Sequence, residues 1–246
     1  MKDEATIIKK LKEDSQYYGE FGQKYLSNSD IKSLLTNPAD FRKPHEDNKS
    51  FVVGRYFHQC ILEPDKAKEM VHVDVASRNT KAYKEMIESS PEAVLLLTKE
   101  KEEVDEMVSK MKGNIDFFDG IYEDGNKFEV PAIGKIMGVD FKGKADIVCN
   151  DCLIDLKTTA DIYKFKWSAY TYNYDSQCYI YQVLFGKPLK FYVIDKQTLL
   201  MGKFNPSQEF IDRGREKVFR AIEVFERFYG DNATDDVHSY FIEETL

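Results

Sequence analysis

Two aspartates and two lysines stand out in Gly143-Lys144-Ala145-Asp146-Ile147-Val148-Cys149-Asn150-Asp151-Cys152-Leu153-Ile154-Asp155-Leu156-Lys157. Asn150-Asp151 is a good two-residue hairpin turn, because both residues tolerate positive φ. With that turn Cys149 faces Cys152, Asp146 faces Asp155 and Lys144 faces Lys157. The period-2 rule then puts Lys144, Asp146, Asp155 and Lys157 on one face, and Ala145, Ile147, Ile154 and Leu156 on the other, where they can pack into a core. Two carboxylates directly opposite each other, with Cβ atoms roughly 4.5–5.5 Å apart, repel. Apolar neighbours worsen the repulsion by lowering the local dielectric. A divalent cation between the acids turns repulsion into attraction, and hard oxygen ligands at this density suit Mg²⁺, which keeps several waters and binds phosphates. The same pattern also fits a solvated hairpin whose Asp and Lys side chains simply pair, and patterning alone leaves both readings open.

Four short strands are expected to frame these residues, over 127–133, 135–141, 144–149 and 153–158. Upstream, 51–62 reads as a buried helix ending before Pro64 and 71–75 as a short strand. Segments 81–88 and 99–112 read as helices with solvated outer faces, the second capped by Thr98. Ser29 reads as the N-cap of a short helix over 30–35 that stops near Pro38. The first 26 residues read as a partly helical arm, and 43–49 as a polar loop. Downstream come a helix over 168–184 ended by Gly186 and Pro188, strands over 189–195 and 199–204, and a long helix over 207–228. Phe210, Ile211, Val218, Ala221, Ile222, Phe225 and Phe228 give that last helix an apolar stripe. Helices, a strand meander, then more helix and strand make a mixed α/β chain. With no repeat, low-complexity tract or linker, the simplest organisation is one domain over 1–246, with an arm at 1–26, a core at 50–204 and a C-terminal helix at 207–229.

Hydrophobic residues make up 42% of the 246 and charged residues 32%, an ordinary globular composition. No apolar run approaches the roughly 20 residues of a membrane span, and Met1-Lys2-Asp3-Glu4 lacks the apolar core of a secretory signal. A cytoplasmic setting is the expectation. The formal charge of −8 argues against a protein that coats DNA nonspecifically. It leaves room for an enzyme with a local basic groove and cation-recruiting carboxylates. Cys149 and Cys152 have the spacing of half a metal knuckle, but no second pair follows, so they read as small apolar residues beside a turn.

Asp146, then Asp155-Leu156-Lys157, resembles the Asp…(Asp/Glu)-x-Lys signature of PD-(D/E)XK nucleases. Gly54-Arg55-Tyr56-Phe57-His58 followed by Leu62-Glu63-Pro64 resembles the Gly-x-x-x-His…Leu-Glu-Pro helix of RecE-like (exonuclease VIII-like) and RecB-like nucleases. Glu129, upstream of the Gly-x-x-x-Lys-Gly-Lys-x-Asp run that ends at Asp146, matches RecE-like sequences, and Gln177 with Tyr181 resembles their Gln-x-x-x-Tyr motif. Segment 27–38 is similar to the Ser-x-Ser…Asn-Pro opening of RecE-like phage proteins, so the resemblance runs over about 26–204 in the family's order.

The resemblance implies a restriction-endonuclease-like core, a mixed sheet flanked by helices with an N-terminal helical region. It implies a Mg²⁺-dependent deoxyribonuclease, with Mn²⁺ as a substitute. Asp146, Asp155 and Lys157 would be catalytic, and His58, Asp146, Asp155 and the Leu156 carbonyl would hold the ion. Lys157 would orient or deprotonate the attacking water, its pKa lowered by the ion and by apolar neighbours. A lone His on an apolar helix also fits a satisfied buried group; Gly54, one turn earlier, would let the helix approach the sheet. Glu129 would sit near the ion or hold a basic residue, a plain solvated Glu being as good a reading. Gln177 and Tyr181, one helical turn apart, would meet DNA, or else Tyr181 is core and Gln177 a loop cap. Lys144 and Arg55, with Arg42 and Lys43, are candidates for a basic groove. Tyr163, Lys164, Lys166, Trp167, Tyr170, Tyr172 and Tyr174 interleave rings with bases, a composition that suits stacking on a frayed strand end and equally suits core packing. RecE-like relatives resect linear duplex DNA from its ends for recombination, form ring-like oligomers and work with a single-strand annealing protein. The bacterial host cytoplasm is the implied location if the chain is phage-encoded. An inactive DNA-binding module, an endonuclease or junction resolvase of the same superfamily, and a structural interaction protein are the competing readings. Some relatives carry an iron–sulfur cluster, but the four cysteines here do not fit that layout, and none is expected.

Overall fold

The segment with the paired aspartates lies at the centre of a five-stranded mixed sheet in a computed structural model that describes residues 4–43, 49–88 and 94–241. In chain order its elements are helices α1 (Glu4–Leu11), α2 (Asp14–Tyr18), α3 (Asn28–Thr36), α4 (Lys49–Leu62) and α5 (Pro64–Glu69), then strand β1 (His72–Val73), helix α6 (Lys81–Glu88) and strand β2 (Leu96–Leu97). Helices α7 (Thr98–Lys112) and α8 (Ile115–Tyr122) precede strands β3 (Lys127–Ile136), β4 (Val139–Val148) and β5 (Leu153–Thr159). Helices α9 (Phe165–Thr171) and α10 (Tyr174–Phe185), strands β6 (Leu189–Asp195) and β7 (Met201–Phe204) and helix α11 (Gln208–Tyr229) complete the order. The sheet runs β3-β4-β5-β6-β7. Its pairs are antiparallel except β5–β6, which is parallel and is joined through the α9–α10 crossover.

Helices cover both faces of the sheet. Val52, Tyr56, Phe57 and Ile61 of α4, Val104, Met107 and Met111 of α7, and Phe117 and Ile121 of α8 pack with Ile147, Ile154, Leu156, Tyr192 and Ile194. On the opposite face, Ile31 and Leu34 of α3, Phe165 of α9, Cys178, Ile180 and Tyr181 of α10, and Val218, Ala221 and Ile222 of α11 pack with Phe141, Ala145, Leu153, Phe191 and Val193. Burying both faces is what a sheet with a parallel pair requires. Cys149 and Cys152 are buried in the first core beside their turn.

Several boundaries differ from the sequence expectation. Three strands replace the four expected over 127–158. β3 runs on through Gly134, and the chain reverses at Met137-Gly138, where φ is 50° and 87°. Gly134 passes close to α10 there, where a Cβ would come within 2.9 Å of Leu184 Cδ2. The helix expected over 168–184 is two helices, broken where Asn173 takes a left-handed φ of 57°. Ser27, not Ser29, caps α3. Its N–H and hydroxyl both donate to Asp30 Oδ2, at 2.7 and 2.8 Å, so the acid three residues on fixes the cap. Leu97, not Thr98, precedes the first turn of α7, its N–H donating to Glu100 Oε2 at 3.0 Å. Two further helices lie outside the sequence expectation, α5, with Pro64 at its first turn, and α8, capped by Asn114. The expected strand over 71–75 is the two-residue β1, paired in parallel with β2. The strand expected from 199 begins at Met201, because Leu199 has a φ of 57°. Of the expected loop over 43–49, residues 44–48 lie outside the described residues.

Residues 4–26 are mostly helical and pack into the body, with Leu11 and Leu26 buried. Leu26 N–H donates to the Asp140 carbonyl at 2.9 Å, and the Lys142 N–H donates to the Leu26 carbonyl at 2.8 Å. Leu26 thus occupies the edge of β4 that β5 leaves open, since β4–β5 pairing covers only Ile147↔Ile154 and Val148↔Leu153.

Candidate active site

The expected register holds near the turn, where Cys149 N–H donates to the Cys152 carbonyl at 2.9 Å and Ile147 pairs with Ile154. Beyond Ile147 the ladder stops. The Leu156 N–H, left without a strand partner on that edge, donates to Asp146 Oδ2 at 2.8 Å. Asp146 and Asp155 are therefore not ladder partners; the divergence of β4 from β5 opens the gap that the Asp146 carboxylate enters. Strict alternation also fails here. Ala145 packs in the second core and Ile147 in the first, so β4 exchanges its faces around Asp146, and the expected single apolar face of Ala145, Ile147, Ile154 and Leu156 is split. On the neighbouring strand, Phe128 pairs with Ile147 and Val130 with Ala145, but Glu129 between them has a φ of 49° and no ladder partner opposite Asp146. A left-handed non-glycine residue inside a strand is a strained arrangement.

α4 brings the third element in. His58 Nδ1 lies 3.4 Å from Asp146 Oδ2. One ligand atom from each of His58, Glu129 and Asp146 falls within 4.8 Å of the others, close enough to share a metal ion. Glu129 is thus in the cluster, and not a plain solvated strand residue. Gly54 does not serve the close helix–sheet approach expected of it. A Cβ there would meet nothing within 4 Å, and the residue instead lines the open cleft.

Asp155, two residues from Lys157 on β5, is 3% exposed. Its Oδ1 accepts from Gln177 Nε2 at 2.6 Å, and its Oδ2 contacts the Lys157 ammonium. Burial pushes the Asp155 carboxyl up, against the pull of Lys157 and His58. Burial would also raise Asp146, but His58, Lys157 and the Leu156 N–H hold it below the usual range. His58 is raised, because Asp146 outweighs the opposing effect of burial. Glu129 is pushed up to about 7 by burial and by Asp146 beside it. Without an ion, Lys157 is raised: burial works downward, but the Asp155 carboxylate against its ammonium prevails.

Gln177 and Tyr181 share a face of α10, as their spacing requires, and both line the cleft while spending their polar ends on protein. Gln177 holds Asp155, and Tyr181 Oη donates to the Lys144 carbonyl at 2.9 Å. Lys144 Nζ meets Asp14 Oδ1 at 2.6 Å and lies 4.6 Å from the Tyr17 ring centroid. Arg55 lines the same cleft. Arg42 and Lys43 do not: Arg42 donates to the Tyr25 carbonyl at 3.0 Å, and Lys43 pairs with Asp40 at 2.8 Å. The cleft has a volume of about 850 Å³ and also includes Asp14, Tyr17, Tyr18 and Glu63, to which sequence reasoning gave no role. No spacing rule reaches Asp14, Tyr17 and Tyr18, which arrive only because the N-terminal helices fold back onto β4. Glu63 stands in the quoted Leu-Glu-Pro motif, the one signal that could have marked it.

Two acids on adjacent strands, Glu129 and Asp146, and the His58 imidazole form a donor set of oxygen and nitrogen atoms suited to a divalent cation, while Asp155 lies beside it with its oxygens turned to Gln177 and Lys157. The Lys157 amine stands beside them in an open cleft. Among solved structures, a protein from Eubacterium rectale named "Putative exonuclease" is 17% identical, with 95% of each chain covered and a TM-score of 0.63, a likeness of fold. A phage related exonuclease from Haemophilus somnus 129PT is 15% identical over 82% of this chain and 94% of that one, with a TM-score of 0.37. No curated protein matches the sequence. The model of one family, described as a PDDEXK-like domain of unknown function (DUF3799), matches residues 24–231, and the chain belongs to that family.

Proposed function

We propose that the protein is a divalent-cation-dependent deoxyribonuclease, an exonuclease that resects linear duplex DNA for recombination. The observation that carries the reading is the meeting of His58, Glu129 and Asp146 around one gap, with Asp155 and Lys157 alongside, on a PDDEXK-like fold. Glu129 raised to about 7 beside Asp146 marks surplus negative charge that a cation would relieve, so the residues fit such an ion. His58, Asp146, Asp155 and the Leu156 carbonyl would hold it, with Glu129 as a further ligand or a partner through water. Strand geometry supports the carbonyl's part, since a residue presents its N–H and C=O to the same edge and the Leu156 N–H already faces Asp146. When bound, a cation of the Mg²⁺ or Mn²⁺ class polarises the phosphoryl oxygen and makes water a better nucleophile. Lys157 orients the attacking water through its N–H donors. Gln177 fixes the Asp155 carboxylate, and Tyr181 fixes the strand that presents Lys144. Lys144 and Arg55 take the DNA backbone. Duplex ends are the proposed substrate, a single-strand annealing protein and further copies of the chain the proposed partners, and the cytoplasm the proposed setting.

The test is nucleotide release from linear duplex DNA with Mg²⁺ or Mn²⁺. Release should occur with the wild type and vanish in Asp155→Ala. Equal cleavage of covalently closed circles would make the enzyme an endonuclease or junction resolvase. Duplex binding without hydrolysis under either ion would make it an inactive binding module.

A further inference from the structure

The stretch after β5 mixes rings and lysines, and the fold sorts them. Ile162, Phe165 and Ala169 are buried, and Phe165 packs on Phe191 and Phe204. Tyr170 packs edge-on against Phe210 at 4.9 Å. The Ile162 N–H donates to Asp195 Oδ2 at 2.9 Å, which ties the start of the segment to the end of β6. These contacts hold the segment as a rigid ridge. Its outer face carries Tyr163, Trp167 and Tyr172, which are 79%, 65% and 63% exposed. Tyr163 lies in the 3-10 turn Ile162–Lys164 and Trp167 in α9, with Lys164, paired to Asp161 at 3.0 Å, and exposed Lys166 beside them. Over residues 160–172, two lysines against Asp161 leave a net +1 in a chain of net −8.

The Tyr172 end of the ridge lies close to the candidate active site. Lys157 Nζ lies 4.9 Å from the Tyr174 ring centroid, and the Tyr174 and Tyr172 rings are 6.0 Å apart and inclined at 34°. One ring therefore separates the Lys157 amine from the exposed ridge. Large exposed rings on a rigid support, with cations between them, are suited to unstacked bases and a phosphate backbone. The stacked bases of a duplex cannot offer their faces to such rings.

We infer that the Tyr163–Trp167–Tyr172 ridge is a binding track for single-stranded DNA leading to or from the cleft. The inference deepens the nuclease reading and rests on it for the identity of the cleft. It gives the ridge one occupant, a DNA strand separated from its complement.

Trp167 is the sole tryptophan of the chain, so its emission reports on the ridge directly. The probe is an oligothymidylate of about 12 nucleotides, within the roughly 4–16 nucleotide span common for such tracks, in EDTA to prevent hydrolysis. The oligonucleotide should quench Trp167. Trp167→Ala and Tyr172→Ala should each weaken its binding, read by anisotropy of a labelled oligonucleotide, by about 5- to 150-fold, with Trp167→Phe retaining most of the affinity. Affinity for a blunt duplex should stay within about twofold, and the melting temperature should be unchanged, as for exposed side chains. An unquenched Trp167 with unchanged oligothymidylate affinity in both alanine variants would overturn the inference, as would equal losses for oligothymidylate and duplex. Hydrolysis of linear duplex with Mn²⁺ is measured on the same preparation. Hydrolysis without quenching sinks the track alone, whereas quenching and affinity loss without hydrolysis keep the track and retire the nuclease reading.

Discussion

At the scale of single residues, the candidate site is a set of charges held in place by neutral groups. Asp155 is buried and oriented by one side-chain amide, that of Gln177, at 2.6 Å. Removing that donor leaves a carboxylate oxygen buried without a partner and free to rotate. Gln177→Ala should therefore lower nuclease activity by about 10- to 100-fold, the usual cost of losing a group that orients a metal ligand. The loss should fall on kcat more than on KM, and the apparent Mn²⁺ affinity should drop with it. Unchanged Mn²⁺ dependence would show that Gln177 only fills space. The raised pKa of Lys157 is a second lesson at this scale. The lowering expected from sequence rested on a bound ion as well as apolar neighbours; without the ion, contact with one carboxylate sets the sign.

At the scale of elements, β4 is the strand on which most depends. It meets β3 along its length, β5 only near the turn, Leu26 on its open edge and α10 on one face. The α10 contact is tight at Gly143, where a Cβ would lie 2.9 Å from Tyr181 Cε1 and 3.1 Å from Leu184 Cδ1. Tyr181 cannot yield easily, being buried and hydrogen-bonded to the Lys144 carbonyl. Gly143→Ala should cost about 1–3 kcal/mol of stability, as overpacking does, measured by urea unfolding. On its other side β4 is joined to α2 through Lys142, which is 6% exposed, donates to the Tyr17 carbonyl and lies 4.2 Å from the Tyr17 ring centroid. Burial pushes Lys142 down to about 8 from its ordinary 10.5, Asp30 opposing and Arg42 and Lys144 adding. Between those two values the unfolded chain binds the proton that the folded chain has released, so stability rises with pH. Wild type should gain on Lys142→Met as the pH climbs from about 8 to 10.5 and lose ground as it falls back, checked by unfolding free energies at both ends.

For the whole molecule, the balance of charge sets how DNA would be approached. The chain carries a formal −8, while its cleft presents Arg55, Lys144 and Lys157. Binding through the two that take the backbone, Arg55 and Lys144, should show a shallow salt dependence, with a slope of log affinity against log salt of about −2, near 0.9 per phosphate contacted. Anisotropy of a labelled duplex in EDTA between low and moderate salt measures it. A slope several times steeper would mean that DNA touches a far larger basic surface than the cleft. Among the described residues no helix is long and apolar enough to cross a membrane.

Local rules determined much of this protein. The Asn150-Asp151 turn fixed the register at the tip of the β4–β5 hairpin, and the motif spacing named Asp146, Asp155, Lys157, His58 and Gln177, all of which line one cleft. Apolar periodicity located α4 and α11 because a helix stripe and a strand alternation are short-range patterns. Tertiary structure decided the rest. Where β5 leaves β4, how Glu129 turns inward at positive φ, and which side of the sheet Ala145 joins depend on packing between segments far apart in sequence. So does the arrival of Tyr17 and Tyr18 in the cleft, which follows from Leu26 filling the open edge of β4. Periodicity reports what each residue prefers beside its neighbours in the chain. It is silent on a strand edge left open by divergence, because the segment that satisfies those hydrogen bonds is chosen by the fold as a whole.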